Sequence, residues 1–266
     1  MTDQLKKKVD FAIKLLQSIP NDEPIEISYS GGKDSDVILE LAKMAGINYR
    51  AIYKNTTIDP PGTIKHCKSK GVEIIAPKIR FFELIQEHGT PSRFQRFCCK
   101  YLKEYKVLDR AVQGIRRSES KKRQERYKEP EVCRAYSAKE KVKIYLPILE
   151  WSDADIAEFI TERGIRLHPL YYDPNGILDV AKRLGCIGCP LASQGKRREQ
   201  FKQYPKMLKL WIANLHVWLN NHPDSKTYAL CNGNPYNKMF FELFCRTKKQ
   251  CDNLLTGGGV CSPKPR

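Results

Sequence analysis

"IEISYSGGKDSDVILELA", from Ile25 to Ala42, decides how the chain is read. An alternating stretch that reads as a strand over Ile25–Ser30 stops abruptly, two glycines follow, and an apolar-periodic helix is expected over Asp36–Ala45 with Gly46 as its stop. The junction is Ser30-Gly31-Gly32-Lys33-Asp34-Ser35. Two glycines let a backbone turn sharply and approach a ligand closely. The helix that follows aims free N–H groups and its positive dipole end back at the turn. Lys33 adds a point charge, and Ser30 and Ser35 add hydroxyl donors. Together these bind a phosphate group. The loop is neither a Walker A motif, because Lys33 is followed by Asp34, nor a GxGxxG fingerprint. The bland alternative is an ordinary strand–turn–helix connection.

Outward from the loop, strands and helices alternate. A helix is expected over Gln4–Ile19, with Leu5, Val9, Ala12, Leu16 and Ile19 on one face and Pro20 closing it. Strands are expected over 48–54, 72–76, 111–115 and 142–148, and helices near 61–70, 81–88, 101–110 and 152–163, the last with Ser152 as N-cap. The charge-rich segment 116–141 reads as loop. Such alternation implies parallel pairing through right-handed crossovers, hence a doubly wound α/β sheet. Beyond Leu191 basic residues and aromatics dominate, with one helix expected over Lys196–Asn220 and a glycine-rich end, TGGGVCSPKPR. The expected organisation is a nucleotide-binding domain over 1–190, and a basic helical extension with a flexible tail over 191–266.

The 266 residues suffice for one substantial core, with room for a smaller appendage. Lys and Arg number 47 against 30 Asp and Glu, a formal net charge of +17. That excess suits a polyanion such as tRNA or DNA, or a small anionic substrate, although a basic surface can also serve solubility alone. No run reaches the roughly 18 apolar residues of a membrane span. The amphipathic N-terminus lacks the apolar core of a signal peptide, so a cytoplasmic protein with no membrane partner is expected.

Four stretches carry a resemblance. The hexapeptide SGGKDS resembles the loop of the PP-loop ATP pyrophosphatases, within the adenine nucleotide alpha hydrolase-like superfamily. YKNTTIDPPGTIKH (53–66), GIRRSESKKR (114–123) and LPILEWSDADIAEFITERGIRLHPLYYDPN (146–175) resemble elements of its phosphoadenylyl-sulfate (PAPS) reductase family. The resemblance covers about 25–190. It implies that Ser30, Gly31, Gly32, Lys33, Asp34 and Ser35 hold the phosphate or sulfate end of ATP or a related adenylyl nucleotide. It implies cleavage of ATP between the α and β phosphates, with Mg2+ as the expected ion and Asp34 a candidate ligand. Lys33 would stabilise charge on the leaving pyrophosphate. Asn55 and Thr56 become candidate nucleotide contacts. Arg116, Ser120 and Arg123, following a strand end, would present guanidinium forks and a hydroxyl to phosphate or sulfate oxygens. Lys33, Asp34 and Arg116 are the catalytic candidates. Trp151, Ile156 and Phe159 read as packing residues, and His168 as structural rather than a general base.

Ten cysteines are many for a chain read as intracellular, which favours metal or redox use for the clustered ones. Cys186 and Cys189 form a CxxC pair that can turn two thiolates to one metal, and Cys98 and Cys99 are adjacent. The Cys-Cys…CxxC pattern resembles the cluster ligands of adenylyl-sulfate reductases and of DNA phosphorothioation proteins. That implies a 4Fe-4S cluster on Cys98, Cys99, Cys186 and Cys189, with Cys133 in reserve; four thiolates also suit Zn2+. Cys67, Cys231, Cys245 and Cys251 read as buried thiols.

The chain lacks the Glu-Cys-Gly-Leu-His tail of sulfonucleotide reductases and has Cys261 after a glycine run. The leading expectation is an ATP-cleaving enzyme that activates a substrate for iron–sulfur-assisted sulfur transfer, plausibly onto nucleic acid, with a sulfur-donor protein as a further partner. The alternatives are a PAPS or adenylyl-sulfate reductase using Cys261 or an external thiol, and a non-catalytic nucleotide- or nucleic-acid-binding module. The segment 195–218 interleaves Lys and Arg with Phe201, Tyr204, Trp211 and Trp218. Those aromatics serve either stacking on bases or a helix core face.

Overall fold

The computed structural model describes residues 1–137 and 140–245. The strands are β1 (Ile25–Tyr29), β2 (Tyr49–Lys54), β3 (Glu73–Ile75), β4 (Arg110–Val112), β5 (Glu131–Ala135) and β6 (Lys141–Tyr145). The α-helices are α1 (Asp3–Gln17), α2 (Lys33–Ala45), α3 (Thr63–Ser69), α4 (Phe81–His88), α5 (Phe97–Leu102), α6 (Lys121–Arg126), α7 (Asp153–Glu162), α8 (Gln194–Gln203), α9 (Pro205–Asn221), α10 (Lys226–Cys231) and α11 (Pro235–Phe244). Two compact units divide them: Met1–Lys78 with Lys100–Gly185, and Ile79–Cys99 with the chain from Cys186 onward.

The first unit holds one sheet in the order β3-β2-β1-β4-β6-β5. β1, β2, β3, β4 and β6 run parallel, with Ile27 opposite both Ala51 and Val112. β5 alone is antiparallel, pairing Glu131 with Tyr145 and Ala135 with Lys141. This is the doubly wound α/β arrangement expected from the alternation. α1 buries Leu5, Val9, Ala12 and Leu16, the periodic face of the sequence. They join a core with Ile25 and Ile27 of β1, Val37, Ile38 and Leu41 of α2, and Ile156 and Phe159 of α7. Each fully buried Leu or Ile contributes about 1.5–3 kcal/mol. Trp151 is in the same core, its ring 5.3 Å from that of Phe159. Ser152 caps α7 by accepting the Asp155 N–H.

Three expectations differ from the structure. The 116–141 segment contains a 3-10 turn (Arg117–Glu119), α6 and β5. β5 is an edge strand in which only Val132 and Arg134 are even half-buried, so its charged sequence hides it. The helix expected over 101–110 starts earlier, as α5, and ends at Leu102. The single helix expected over 196–220 breaks at Tyr204, which has φ −123° and ψ 65°, because the ring of Pro205 disfavours helical backbone in the residue before it.

The second unit is helical. α4 lies on α9, with the Phe81 and Trp211 rings 5.0 Å apart. Phe201 of α8 meets Trp211 edge-on at 5.8 Å. Trp211 and Phe201 are buried, so they are core and unavailable for stacking on bases. Trp218 is half-buried and stacks on His222 at 4.6 Å. The carboxylate of Glu242 receives Arg197, Lys238 and Thr90. Burial alone would raise its pKa, but the Lys238 and Arg197 charges and the hydrogen bonds outweigh it and hold the group ionised. The tail, with Cys251 and Cys261, lies outside the described residues. Among the described residues no helix is long and apolar enough to cross a membrane.

Candidate functional site

β1 delivers the chain to Ser30 at the carboxyl edge of the sheet, and α2 begins at Lys33, three residues earlier than the periodicity predicts. Gly32 is the N-cap residue and has no side chain of its own to cap the helix. The positive end of the helix dipole faces the loop, with the Ser35 and Asp36 N–H groups donating to the Gly32 carbonyl at 2.9 and 3.0 Å. Gly31 has φ +76°, a left-handed conformation, and a Cβ there would sit 3.1 Å from Leu184 and 3.2 Å from Thr63. Gly114, just beyond β4, approaches α2 even more closely: a Cβ would lie 2.9 Å from the Asp34 carbonyl oxygen.

A cavity of about 330 Å3 opens over this junction, within the usual size of a small-ligand site. Ser30, Gly32, Lys33, Asp34, Ser35 and Arg123 line it. The Ser30 and Ser35 hydroxyls are 3.3 Å apart, and Ser35 donates to the Gly32 carbonyl at 2.6 Å. The Lys33 ammonium is 3% exposed and donates to Asp34 at 3.3 Å. One of its three donors is thus engaged and two remain for a ligand.

Arg116 stands behind the loop, 1% exposed. Its Nε donates to Asp34 at 2.7 Å, its Nη2 to Asp153 at 2.7 Å, and its Nη1 to Ser118 and to the Trp151 carbonyl at 2.9 and 3.3 Å. Every guanidinium nitrogen is thus engaged by the protein, which makes Arg116 the residue that orients Asp34. Arg123 reaches the cavity wall instead. It pairs with Glu119, and burial together with the nearby Arg183 charge keeps its pKa below the ordinary arginine value. Ser120 caps α6 by accepting the Arg123 N–H and does not line this cavity. Asn55 and Thr56 shape the turn after β2: Asn55 accepts the Thr57 N–H at 2.9 Å, and Thr56 donates to Asp59 at 2.6 Å. Neither lines the loop cavity.

Sequence reasoning missed Tyr171, Glu119 and Arg183. Tyr171 Oη accepts the Lys33 N–H at 3.1 Å and the Leu184 N–H at 3.3 Å. Glu119 pairs with both Arg123 and Arg183 on the wall. Glu119 lies inside the quoted GIRRSESKKR stretch and Tyr171 inside LHPLYYDPN, so position within those motifs was the available signal. Beneath the loop, Asp36 receives Tyr29 at 2.6 Å and His66 at 2.9 Å and anchors the first turns of α2. His168 is buried, its ring 5.8 Å from that of His66.

The second unit brings the cysteine pairs together. Cys98 and Cys99 lie at the start of α5, and Cys186 and Cys189 flank a turn in which the Cys189 N–H donates to the Cys186 carbonyl at 3.3 Å. Gly188, at φ +74°, makes that turn, and a Cβ on it would meet Phe201 at 2.6 Å. All four thiols are half-buried. A hydrogen bond with Cys99, burial, and the charges of Cys99, Cys186 and Cys189 push the Cys98 thiol well above its usual pKa. Thiols that hinder one another's ionisation in this way are relieved by a bound cation, so the donor set fits a thiolate-ligated group. No cluster of three or more His, Cys, Asp or Glu side chains among the described residues is gathered tightly enough for one ion. A single zinc needs thiolates about 3.8 Å apart, given its bond length of roughly 2.3 Å. Four thiolates suit a polynuclear cluster as well as a single zinc.

A glycine loop opening a helix at the carboxyl edge of a parallel sheet, with cationic side chains on its wall, places the protein in the α/β class, in which such edges are the usual position of a ligand site. The sequence profile of the phosphoadenosine phosphosulfate reductase domain matches residues 24–192, and the chain belongs to that family. Two uncharacterised proteins of Methanocaldococcus jannaschii are similar to it. One is 26% identical over 216 residues, 75% of this chain and 43% of its own length. The other is 28% identical over 202 residues, 71% of this chain and 46% of its own length. The chain thus spans less than half the length of these relatives. Among solved structures, the Candida auris PAPS reductase phosphate complex is 14% identical, with a TM-score of 0.43, over 69% of this chain and 98% of that one. The U34-tRNA thiolase of Methanococcus maripaludis with its 4Fe-4S cluster is also 14% identical, with a TM-score of 0.44, over 84% of this chain and 80% of that one.

Proposed function

We propose that the protein binds ATP at Ser30–Ser35, cleaves it to AMP and pyrophosphate, and so activates a nucleic-acid substrate for sulfur transfer. The observation that carries this reading is the loop cavity: a helix N-terminus opening on two glycines, a buried lysine with spare donors, and Arg123 on the wall. The β and γ phosphates would lie over Gly31–Ser35, with the charge of Lys33 and Arg123 developing its full effect on the leaving pyrophosphate. Asp34, held by Arg116 and 18% exposed, would face Mg2+ with its remaining oxygen capacity. An oxygen of the acceptor forms a bond to the α-phosphorus as the bond to the bridging oxygen of pyrophosphate breaks. AMP then becomes the group that sulfur displaces. The group held by Cys98, Cys99, Cys186 and Cys189, read as 4Fe-4S, would supply the sulfur or electron chemistry. The net charge of +17 supports a tRNA or DNA acceptor.

The test is chromatographic analysis after anaerobic incubation with Mg2+ and ATP, with and without tRNA or DNA. AMP and pyrophosphate, stimulated by one nucleic acid, are expected; absence of ATP turnover overturns the reading. Family membership over 24–192 favours one second reading, reduction of PAPS or adenylyl sulfate with release of sulfite. Sulfite from PAPS, lost in Cys261→Ser, would identify it.

A further inference from the structure

Phe94 is the most solvent-exposed large hydrophobic among the described residues, at 98%, ahead of Ile177 at 64%. Its turn is built, not frayed. The Ser92 N–H donates to the Gln95 carbonyl at 3.1 Å, and the Ser92 hydroxyl oxygen accepts the N–H groups of Phe94 and Gln95 at 3.2 and 3.0 Å. Arg93 and Arg96 stand on either side of Phe94 in the sequence and are exposed themselves. Arg93 Nε donates to the Pro190 carbonyl at 3.2 Å, which ties the turn to the residue that follows Cys189. Four residues beyond Phe94 comes Cys98. The turn and all four grouped cysteines belong to the same compact unit.

A phenyl ring held wholly in water contributes nothing to the core, and burial would reward almost any inward rotamer. The sequence around it fixes the sign of the partner: between Glu87 and Glu104 stand Arg93, Arg96, Lys100 and Lys103 and no acidic residue. An exposed aromatic ring on a hydrogen-bonded turn, with arginines on either side of it in the sequence, can stack on an unpaired base while the cations meet flanking phosphates. We infer that the Ser92–Gln95 turn is a nucleobase platform on which Phe94 stacks an unpaired base of the nucleic acid, beside the four-cysteine group. The inference rests on the nucleic-acid reading above and names the part of the surface that receives the acceptor.

The test is fluorescence anisotropy with a labelled single-stranded oligouridine, a labelled oligothymidine and a fully paired duplex. Wild-type protein is expected to bind the single strands more tightly than the duplex. Phe94→Ala is expected to weaken single-strand binding about five- to 150-fold, the worth of one stacked base. Phe94→Trp is expected to restore it, and Phe94→Leu, apolar without a π-face, is not. The Phe94 loss persists at high salt, whereas Arg93→Ala with Arg96→Ala lowers the salt slope. ATP binding at the glycine loop, unchanged in Phe94→Ala, shows that the variant is folded. Equal single-strand binding by Phe94→Ala and wild type overturns the inference and leaves the nucleic-acid reading standing. Full single-strand binding by Phe94→Leu overturns it, because an apolar side chain without a π-face would then suffice. Absence of any nucleic-acid binding by wild type overturns both readings.

Discussion

Tyr171 caps the helix that opens at Lys33: its hydroxyl oxygen accepts the Lys33 N–H at 3.1 Å while also accepting that of Leu184 at 3.3 Å. A phenol oxygen has two lone pairs and one proton. Both lone pairs are engaged, so the proton must be donated elsewhere, and the hydroxyl lies on the wall of the loop cavity. Burial raises the Tyr171 pKa, so the proton is retained at neutral pH. Tyr171→Phe removes a donor to a ligand oxygen and is expected to weaken ATP binding about two- to 13-fold, the worth of one hydrogen bond. Titration calorimetry measures it. Unchanged affinity would show that the hydroxyl serves the fold alone.

Gly114→Ala tests how closely the end of β4 must approach α2. The added methyl would stand 2.9 Å from the Asp34 carbonyl oxygen and 3.0 Å from its carbonyl carbon, both backbone atoms with no rotamer to yield. Relief must come from moving the first turn of α2, which carries Lys33 and Asp34. The expected cost is about 1–3 kcal/mol in stability, with a loss of ATP affinity larger than the loss of stability predicts. Urea unfolding and ATP binding on the same preparation check the two effects. Full ATP affinity in a folded variant would show that the loop geometry tolerates the shift.

What the sequence revealed was local. The glycines, Lys33 and the helix start sit within six consecutive residues, and their geometry depends on neighbours along the chain. Tyr171 enters the same loop from 138 residues away, and no period or spacing announces such a contact. Arg116 was legible as a charged residue after a strand, but its use was not: three protein partners and the Trp151 carbonyl claim it. β5 escaped because an edge strand need bury little, and one of its two half-buried positions is the charged Arg134 beside Val132. The union of Ile79–Cys99 with the helices beyond Cys186 depends on Phe81 packing against Trp211, a long-range contact invisible to local patterning.

His168 gives the fold an acid-side limit. Burial first, then the charge of His66, lowers its pKa below 6.5, against an opposing pull from the Pro61 carbonyl and Asp36. The unfolded chain therefore binds a proton below about pH 6.5 that the folded protein refuses. This contribution is complete above pH 6.5 and is lost as pH falls from there toward the lowered folded-state value. The slope from this one group approaches about 1.4 kcal/mol per pH unit. Urea titrations of wild type and His168→Gln between pH 5 and 8 check it. The variant is expected to lose stability less steeply with acid, whatever its stability at pH 8. Parallel curves would remove His168 as the source.

The cysteine group makes the sharpest compositional prediction. Cys98, Cys99, Cys186 and Cys189 are half-buried and close enough for their charges to oppose one another, whereas Cys133 is exposed on β5. Anaerobic reconstitution with iron and sulfide is expected to yield about four irons and four sulfides per chain, with broad visible absorption. Serine at any of the four positions should abolish or sharply lower the iron content, while Cys133→Ser should leave it intact. The Cys186→Ser and Cys189→Ser variants should also lose thermal stability in the loaded state, because bound cluster stabilises the folded form in proportion to its affinity. One zinc per chain with no bound sulfide would instead assign the thiolates to a mononuclear site.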